Sequence, residues 1–210
     1  MKCIITIYLF FFFVLLCEAQ SGTLTDTRDG KVYKTVQIGS QTWMAENLAY
    51  APLISFVTHD SYLKTGIYCY NDDTALITDY GLLYSWSIAI KSCPVGWHLP
   101  TKAEYDTLLA YVGSDAKIVY EHLRVGGSIG FEAKFGGYLF FSSREVGCYV
   151  NLNNVGDFWT STGKNKRTTT DFYYLTFNHP MKESKMEVNN KFMNASRVYP
   201  LCHSVRCIKD

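Results

Sequence analysis

CPVGWHLPTKAEYDTLL, residues Cys93–Leu109, reads as framework from one end to the other. Pro94-Val95-Gly96 is turn chemistry, with Gly96 supplying the freedom a tight turn needs. Thr101 stands where a helix N-cap belongs and Glu104 follows three residues later, the reciprocal pairing that satisfies the orphan amides of a first helical turn. Tyr105, Leu108, Leu109 and Val112 then recur on one face, and Gly113 offers a left-handed C-terminal cap. The spacing predicts a helix from Thr101 to Val112, with Trp97 and Leu99 in the core and His98 as a core or hydrogen-bonding histidine.

Upstream, YGLLYSWSIAIKSCP places Tyr84, Ile88 and Lys91 along a helical stripe widened by Leu83, Trp86 and Ile90, and Pro94 prevents continuation. This predicts a short buried helix. Downstream, Ala116, Val119, Tyr120 and Leu123 share a face and predict a further helix over 115–123. Nearer the start, TDTRDGKVYKTVQIGSQTWMAENLAY sets Val32, Val36 and Ile38 on one strand face opposite Tyr33 and Thr35, then turns at Gly39-Ser40 into Gln41–Met44, a hairpin. Asp29-Gly30 is a turn. After Gly126-Gly127 the pattern is strand-like and broken by polar loops, through FEAKFGGYLFF, FWTST, DFYYLTFN and HSVRCIKD. Helices in the middle and strands at both ends predict an α+β fold whose first and last strands meet in one sheet.

Residues 1–19 read as a signal peptide: Met1-Lys2, an apolar run from Ile4 to Leu16, and a small residue at Ala19 before a polar start at Gln20. The run is shorter than the roughly 20 apolar residues a membrane span requires. Cys17 offers an alternative, a lipid-attachment site and with it a membrane anchor, although Leu16 is larger than the usual neighbour of such a cysteine. Residues 20–210 lack repeats and linkers and are expected to form a single domain, large enough to bury a substantial core.

The formal charge is +1, and it does not change when Lys2 and Glu18 leave together. No cluster of cations exists beyond Lys164–Arg167, so nucleic acid is not an expected partner. Five of the seven cysteines lie beyond residue 19: Cys69, Cys93, Cys148, Cys202 and Cys207. In an exported chain they read as disulfides, and spacing alone does not choose among the pairings. Without a C-x-x-C pair or helical spacing among His59, His98, His122, His179 and His203, no zinc site is expected.

Taken in order, DTRDGKVYKTVQIGSQTWMAENLAY, YGLLYSWSIAI, CPVGWHLPTKAEYDTLL, FWTST and SVRCIKD resemble the Fibrobacter succinogenes major paralogous domain, a family of exported bacterial proteins. The resemblance implies a C-type lectin-like fold, similar also to formylglycine-generating enzymes: two main helices packed on a looped antiparallel sheet, with the termini in adjacent strands. It implies a Cys93–Cys207 disulfide tying the helical segment to the last strand. Two departures stand out. Family members often carry a second cysteine a few residues after Cys69, where this chain has Ile77, so Cys69 is left to pair with Cys148 or Cys202, or to remain free. Cys202 itself stands where the family more often has no cysteine.

A shared fold hosts unrelated functions, so function must be argued from a site. The expected one is the polar segment from Gly147 to Asp157, where lectin-like domains carry their long ligand loop. Tyr149, Asn151, Asn153, Asn154 and Asp157 would there recognise a glycan or a surface protein, with no cofactor. Neither a Glu-Pro-Asn nor a Trp-Asn-Asp triplet of calcium-dependent sugar binders occurs, so no metal is expected. A structural or assembly role at the surface is the alternative. The enzyme alternative rests on CHSVRC, whose cysteine spacing is similar to that of the copper-dependent thiol oxidases of the formylglycine-generating type. No nucleophile elbow or phosphate loop is present, and Glu104 is accounted for by capping.

Overall fold

The computed structural model describes residues 20–57, 66–113, 115–141, 147–165, 168–178, 193–195 and 201–210. The expected signal peptide with Cys17, together with His59, His179 and part of the basic run at 164–167, lies outside them. The architecture is α+β, as expected. Strands β1 (Ser21–Thr25), β2 (Val32–Ile38) and β3 (Gln41–Met44) form a meander. Strand β4 (Ile67–Tyr68) precedes a single helical turn α1 (Ile77–Tyr80), strand β5 (Leu83–Ser85) and a second single turn α2 (Trp86–Ala89). After β6 (Trp97–His98) come the two main helices, α3 (Lys102–Val112) and α4 (Ala116–Leu123). The remainder is strand: β7 (Tyr138–Phe141), β8 (Gly147–Val150), β9 (Val155–Asn165), β10 (Thr168–Asn178), β11 (Met193–Ala195), β12 (Leu201–Ser204) and β13 (Ile208–Lys209).

Two sheets result. One has the order β1-β2-β3-β13-β6, and the other β11-β10-β9-β12-β5-β4 with β7 beside β12 and β8 beside β7. Between these described strands pairing is antiparallel except where Ser204 of β12 meets Phe158 of β9. The first and last strands do share a sheet, but they are not adjacent: β13 pairs with β3 and β6, while β1 holds the edge beside β2.

Strand β2 buries residues on both of its faces. Val36 and Ile38 face a cluster with Trp43, Tyr105 and Leu108 beneath the helices, whereas Tyr33 joins Met44, Tyr84 and Trp159 on the other side. Thr35 is buried as well, and Val32, on the face of Val36 and Ile38, is 55 % exposed. A strand with two covered faces loses the alternation that a half-exposed strand shows.

Helix α3 begins as the sequence requires. Thr101 Oγ1 accepts from the Glu104 N–H at 3.2 Å, and Glu104 Oε2 accepts from the Thr101 N–H at 2.7 Å. Its C-terminal glycine differs from expectation: Gly113 has φ 139° and ψ 168°, an extended conformation open to glycine rather than the left-handed cap. The helix expected over Tyr84–Lys91 is also corrected. Tyr84 lies in β5, paired with His203 and Ile67, and only one helical turn follows. Leu83 and Tyr84 face opposite clusters, a period-2 pattern that sheet pairing selects over the 3.6-residue stripe. Cys93 and Cys207 are bonded, with Cα atoms 5.8 Å apart, which ties the segment before β6 to the approach of β13.

Candidate functional site

The polar segment after β7 is a hairpin end rather than a long loop. Strand β8 pairs with β7 in the register Leu139↔Tyr149 and Phe140↔Cys148, and residues 151–154 turn the chain into β9. Asn151 and Asn153 take φ of 63° and 64°. Asparagine tolerates this left-handed region because its short amide hydrogen-bonds locally. The turn is pinned from several sides: Asn154 and Val155 N–H groups both donate to the Asn151 carbonyl at 3.0 Å, and the Asn153 N–H donates to the Phe135 carbonyl at 2.9 Å. Gly137, at φ 63°, packs so closely beneath that an added Cβ would stand 2.4 Å from the Val150 carbonyl oxygen.

The structure separates the five expected site residues into two groups. Tyr149 turns inward. Its hydroxyl donates to Asp72 Oδ1 at 2.6 Å and its ring packs 5.3 Å from Tyr70, while Asp72 also accepts from the Val57 N–H at 3.0 Å. Burial, then this hydrogen bond, pushes the phenol's pKa far above its ordinary value. Asp157 is buried within β9, 3 % exposed. Only Asn151, Asn153 and Asn154 remain exposed, joined by a residue that sequence reasoning did not include: the Tyr80 hydroxyl donates to Asn153 Oδ1 at 2.6 Å. The rim therefore offers amide N–H donors, amide carbonyls and a phenol oxygen on a fixed backbone. Tyr80 closes α1, immediately before Gly81, and nothing local in the sequence links it to Asn153.

Asp157 instead faces His203, with Oδ2 3.4 Å from Nδ1. The imidazole is enclosed by Tyr174 (centroids 4.3 Å apart), Trp159 (4.4 Å) and Tyr138 (5.7 Å). Asp157 Oδ1 and both His203 nitrogens lack a protein hydrogen-bond partner. Desolvation pushes Asp157 up to about 7, against a hydrogen bond from Thr176, and pulls His203 down to about 3. The 3.4 Å approach would suit an ion pair, but burial favours the neutral acid beside neutral imidazole; either arrangement holds one proton.

Arg206, also unmarked by sequence reasoning, is fully buried without a carboxylate ion pair among the described residues. Its guanidinium donates to Asn47 Oδ1 at 2.6 Å, to the Glu132 carbonyl at 3.0 Å, to the Met44 carbonyl at 3.2 Å and to the Phe131 carbonyl. Asn47 Nδ2 in turn donates to the Tyr80 carbonyl at 2.9 Å. The WMAEN and SVRC segments thus meet in the core and anchor the base of α1. Desolvation lowers the Arg206 pKa to about 10, which leaves the group charged at neutral pH.

Cys69, Cys148 and Cys202 are free thiols, so of the three alternatives for Cys69 the structure has the unpaired one. Cys202 packs with Tyr68, Leu139 and Phe141, whereas Cys69 belongs to the cluster of Ile67 and Tyr84 on the opposite side of the sheet. Cys148 pairs with Phe140, one position out of phase with the Leu139 that faces Cys202. Nor do Cys202 and Cys207 form a free thiol pair: Cys207 is bonded to Cys93, and burial raises the Cys202 pKa well above its ordinary value.

No curated protein and no solved structure matches the chain. Residues 36–209 match the profile of the Fibrobacter succinogenes major domain, which takes in every element from within β2 to β13. The chain therefore belongs to the Fibrobacter succinogenes major domain family.

Proposed function

We propose that the protein is an exported binding module, at the cell surface or in the periplasm, that recognises a glycan or a surface protein through the turn at 151–154. The observation that carries this reading is the set of exposed amides of Asn151, Asn153 and Asn154, with the Tyr80 hydroxyl, on a backbone fixed by cross-chain hydrogen bonds. Amide donors and acceptors carried on a fixed backbone reduce the ordering cost that a mobile loop would incur on binding. They match the hydroxyl array of a sugar better than an apolar side chain, so a glycan is the first ligand to test. A C-type lectin-like framework is part of the proposal. It is supported by helices packed beside antiparallel sheets, first and last strands in one sheet, and a disulfide that ties the helical segment to the last strand.

A glycan array run beside a pull-down from surface extract tests the ligand class. Saturable binding to a glycan set supports the reading. A blank array with capture of one surface protein moves the module to protein recognition or assembly, and an absence of binding in both formats overturns the proposal. Export is tested by mass spectrometry of native material, which should begin at Gln20; an acylated Cys17 would instead make the module a membrane-anchored lipoprotein.

A further inference from the structure

A cleft of about 320 Å³ lies apart from the asparagine turn. Pro52, Leu53, Ile67 and Ile88 line it together with Arg28 and Lys91. The lining is mostly aliphatic, and Leu53 is 63 % exposed. The two cations differ. Arg28 makes a bidentate pair with buried Asp26, Nε to Oδ1 at 2.8 Å and Nη2 to Oδ2 at 2.6 Å, and lies 3.7 Å above the Tyr50 ring. Lys91 is exposed and has no ion pair among the described residues, and no carboxylate lines the cleft. Among the described residues the cleft is therefore an apolar depression carrying one unpaired positive charge.

We infer that this cleft docks a partner protein by a bulky aliphatic or aromatic side chain with an aspartate or glutamate beside it, the apolar group filling the depression and the carboxylate meeting Lys91. A sugar is a poor fit. Arg28 Nε and Nη2 are turned to Asp26, the same guanidinium covers a face of Tyr50, and the Ser92 hydroxyl donates to the Ile88 carbonyl at 2.8 Å. A membrane surface fits less well also, since anionic lipid is held by clusters of about four to eight cations around a broad apolar face, and a single unpaired lysine stands here. The volume is near the lower end of the range for small-ligand clefts, roughly 300 to 1,000 Å³, which suits one anchoring side chain. This inference is independent of the asparagine turn.

The test is an amide chemical-shift titration of the ¹⁵N-labelled protein with end-blocked peptides containing Leu-Glu-Glu, Leu-Lys-Lys or Ala-Glu-Glu between Gly-Ser flanks. Saturable shifts centred on Leu53, Ile67, Ile88 and Lys91 are expected for the Leu-Glu-Glu peptide, with affinity about tenfold lower for the other two. Lys91→Glu should invert the preference between the Glu and Lys peptides. Leu53→Ser, at an exposed position, should weaken both without loss of fold. A variant with the asparagine turn replaced should bind as the parent does. Equal binding of the Glu and Lys peptides, no saturable shifts, shifts centred on 151–154, or preferential binding to phosphatidylglycerol vesicles would each overturn it.

Discussion

Asp157 and His203 place two titratable groups in the core, and their shifts run in opposite directions. In the unfolded chain between about pH 4 and 6.5 the aspartate is ionised and the histidine protonated, one bound proton in total. The folded pair also binds one. Stability is proportional in slope to the difference in bound protons, so this pair contributes a plateau there. Below about pH 3.8 the unfolded chain takes up a second proton and stability falls. Above 6.5 the unfolded histidine loses its proton before Asp157 does at about 7, and stability falls again. Replacing one partner exposes the other's slope. Asp157→Asn leaves a histidine depressed to about 3, and stability should rise with pH by about 1.4 kcal/mol per unit between 4 and 6.5. His203→Gln leaves a carboxyl raised to about 7, and stability should fall with pH over the same window. Urea unfolding at a series of pH values measures both, and equal slopes in the two variants would contradict the pairing. Arg206 gives a second residue-scale expectation: Arg206→Met strands three buried carbonyls and the Asn47 amide oxygen, and should cost about 3 to 5 kcal/mol in the same assay.

At the scale of elements, the Cys93–Cys207 bond encloses 114 positions of sequence separation. Chain-entropy reasoning assigns such a closure about 4 to 5 kcal/mol. Cys93→Ser should therefore shift the urea midpoint well below that of Cys69→Ser, which only exchanges a buried thiol for a hydroxyl; coincident midpoints would place the covalent tie elsewhere. The elements that sequence made legible are those whose signals are local. The Thr101–Glu104 capping box and the periodic face of α3 need no distant partner to be recognised. Strand β5 was illegible for the converse reason. Its helical stripe is real in sequence, but pairing of Tyr84 with His203 and Ile67 decides its state, and those residues are far along the chain. The buried positions of Tyr33 and Thr35 were hidden likewise, because two-sided burial erases alternation.

For the whole molecule, the strongly patterned motifs converge on scaffold. Trp43 enters the core, Met44 and Asn47 hold Arg206, and Glu104 both caps α3 and contacts His98 Nε2 at 2.9 Å. His98 Nδ1 also meets Asp210 at 2.6 Å. The candidate site was legible only in part. Asparagines at 151, 153 and 154 announce a turn by composition, but the inward course of Tyr149 and Asp157 depends on Asp72 and His203, which no neighbouring residue betrays. This division supports the proposal that recognition belongs to the turn and stability to the motifs. Its most direct test replaces the exposed amides in a form the backbone tolerates, Asn151→Gly and Asn153→Gly at the left-handed positions with Asn154→Ser, and leaves Tyr149 intact. Glycan binding and thermal unfolding are then measured on one preparation. Binding should fall by at least about tenfold with the melting temperature within a few degrees of the parent, as for surface changes of about 0.5 kcal/mol each. Unchanged affinity in a folded triple variant would contradict it.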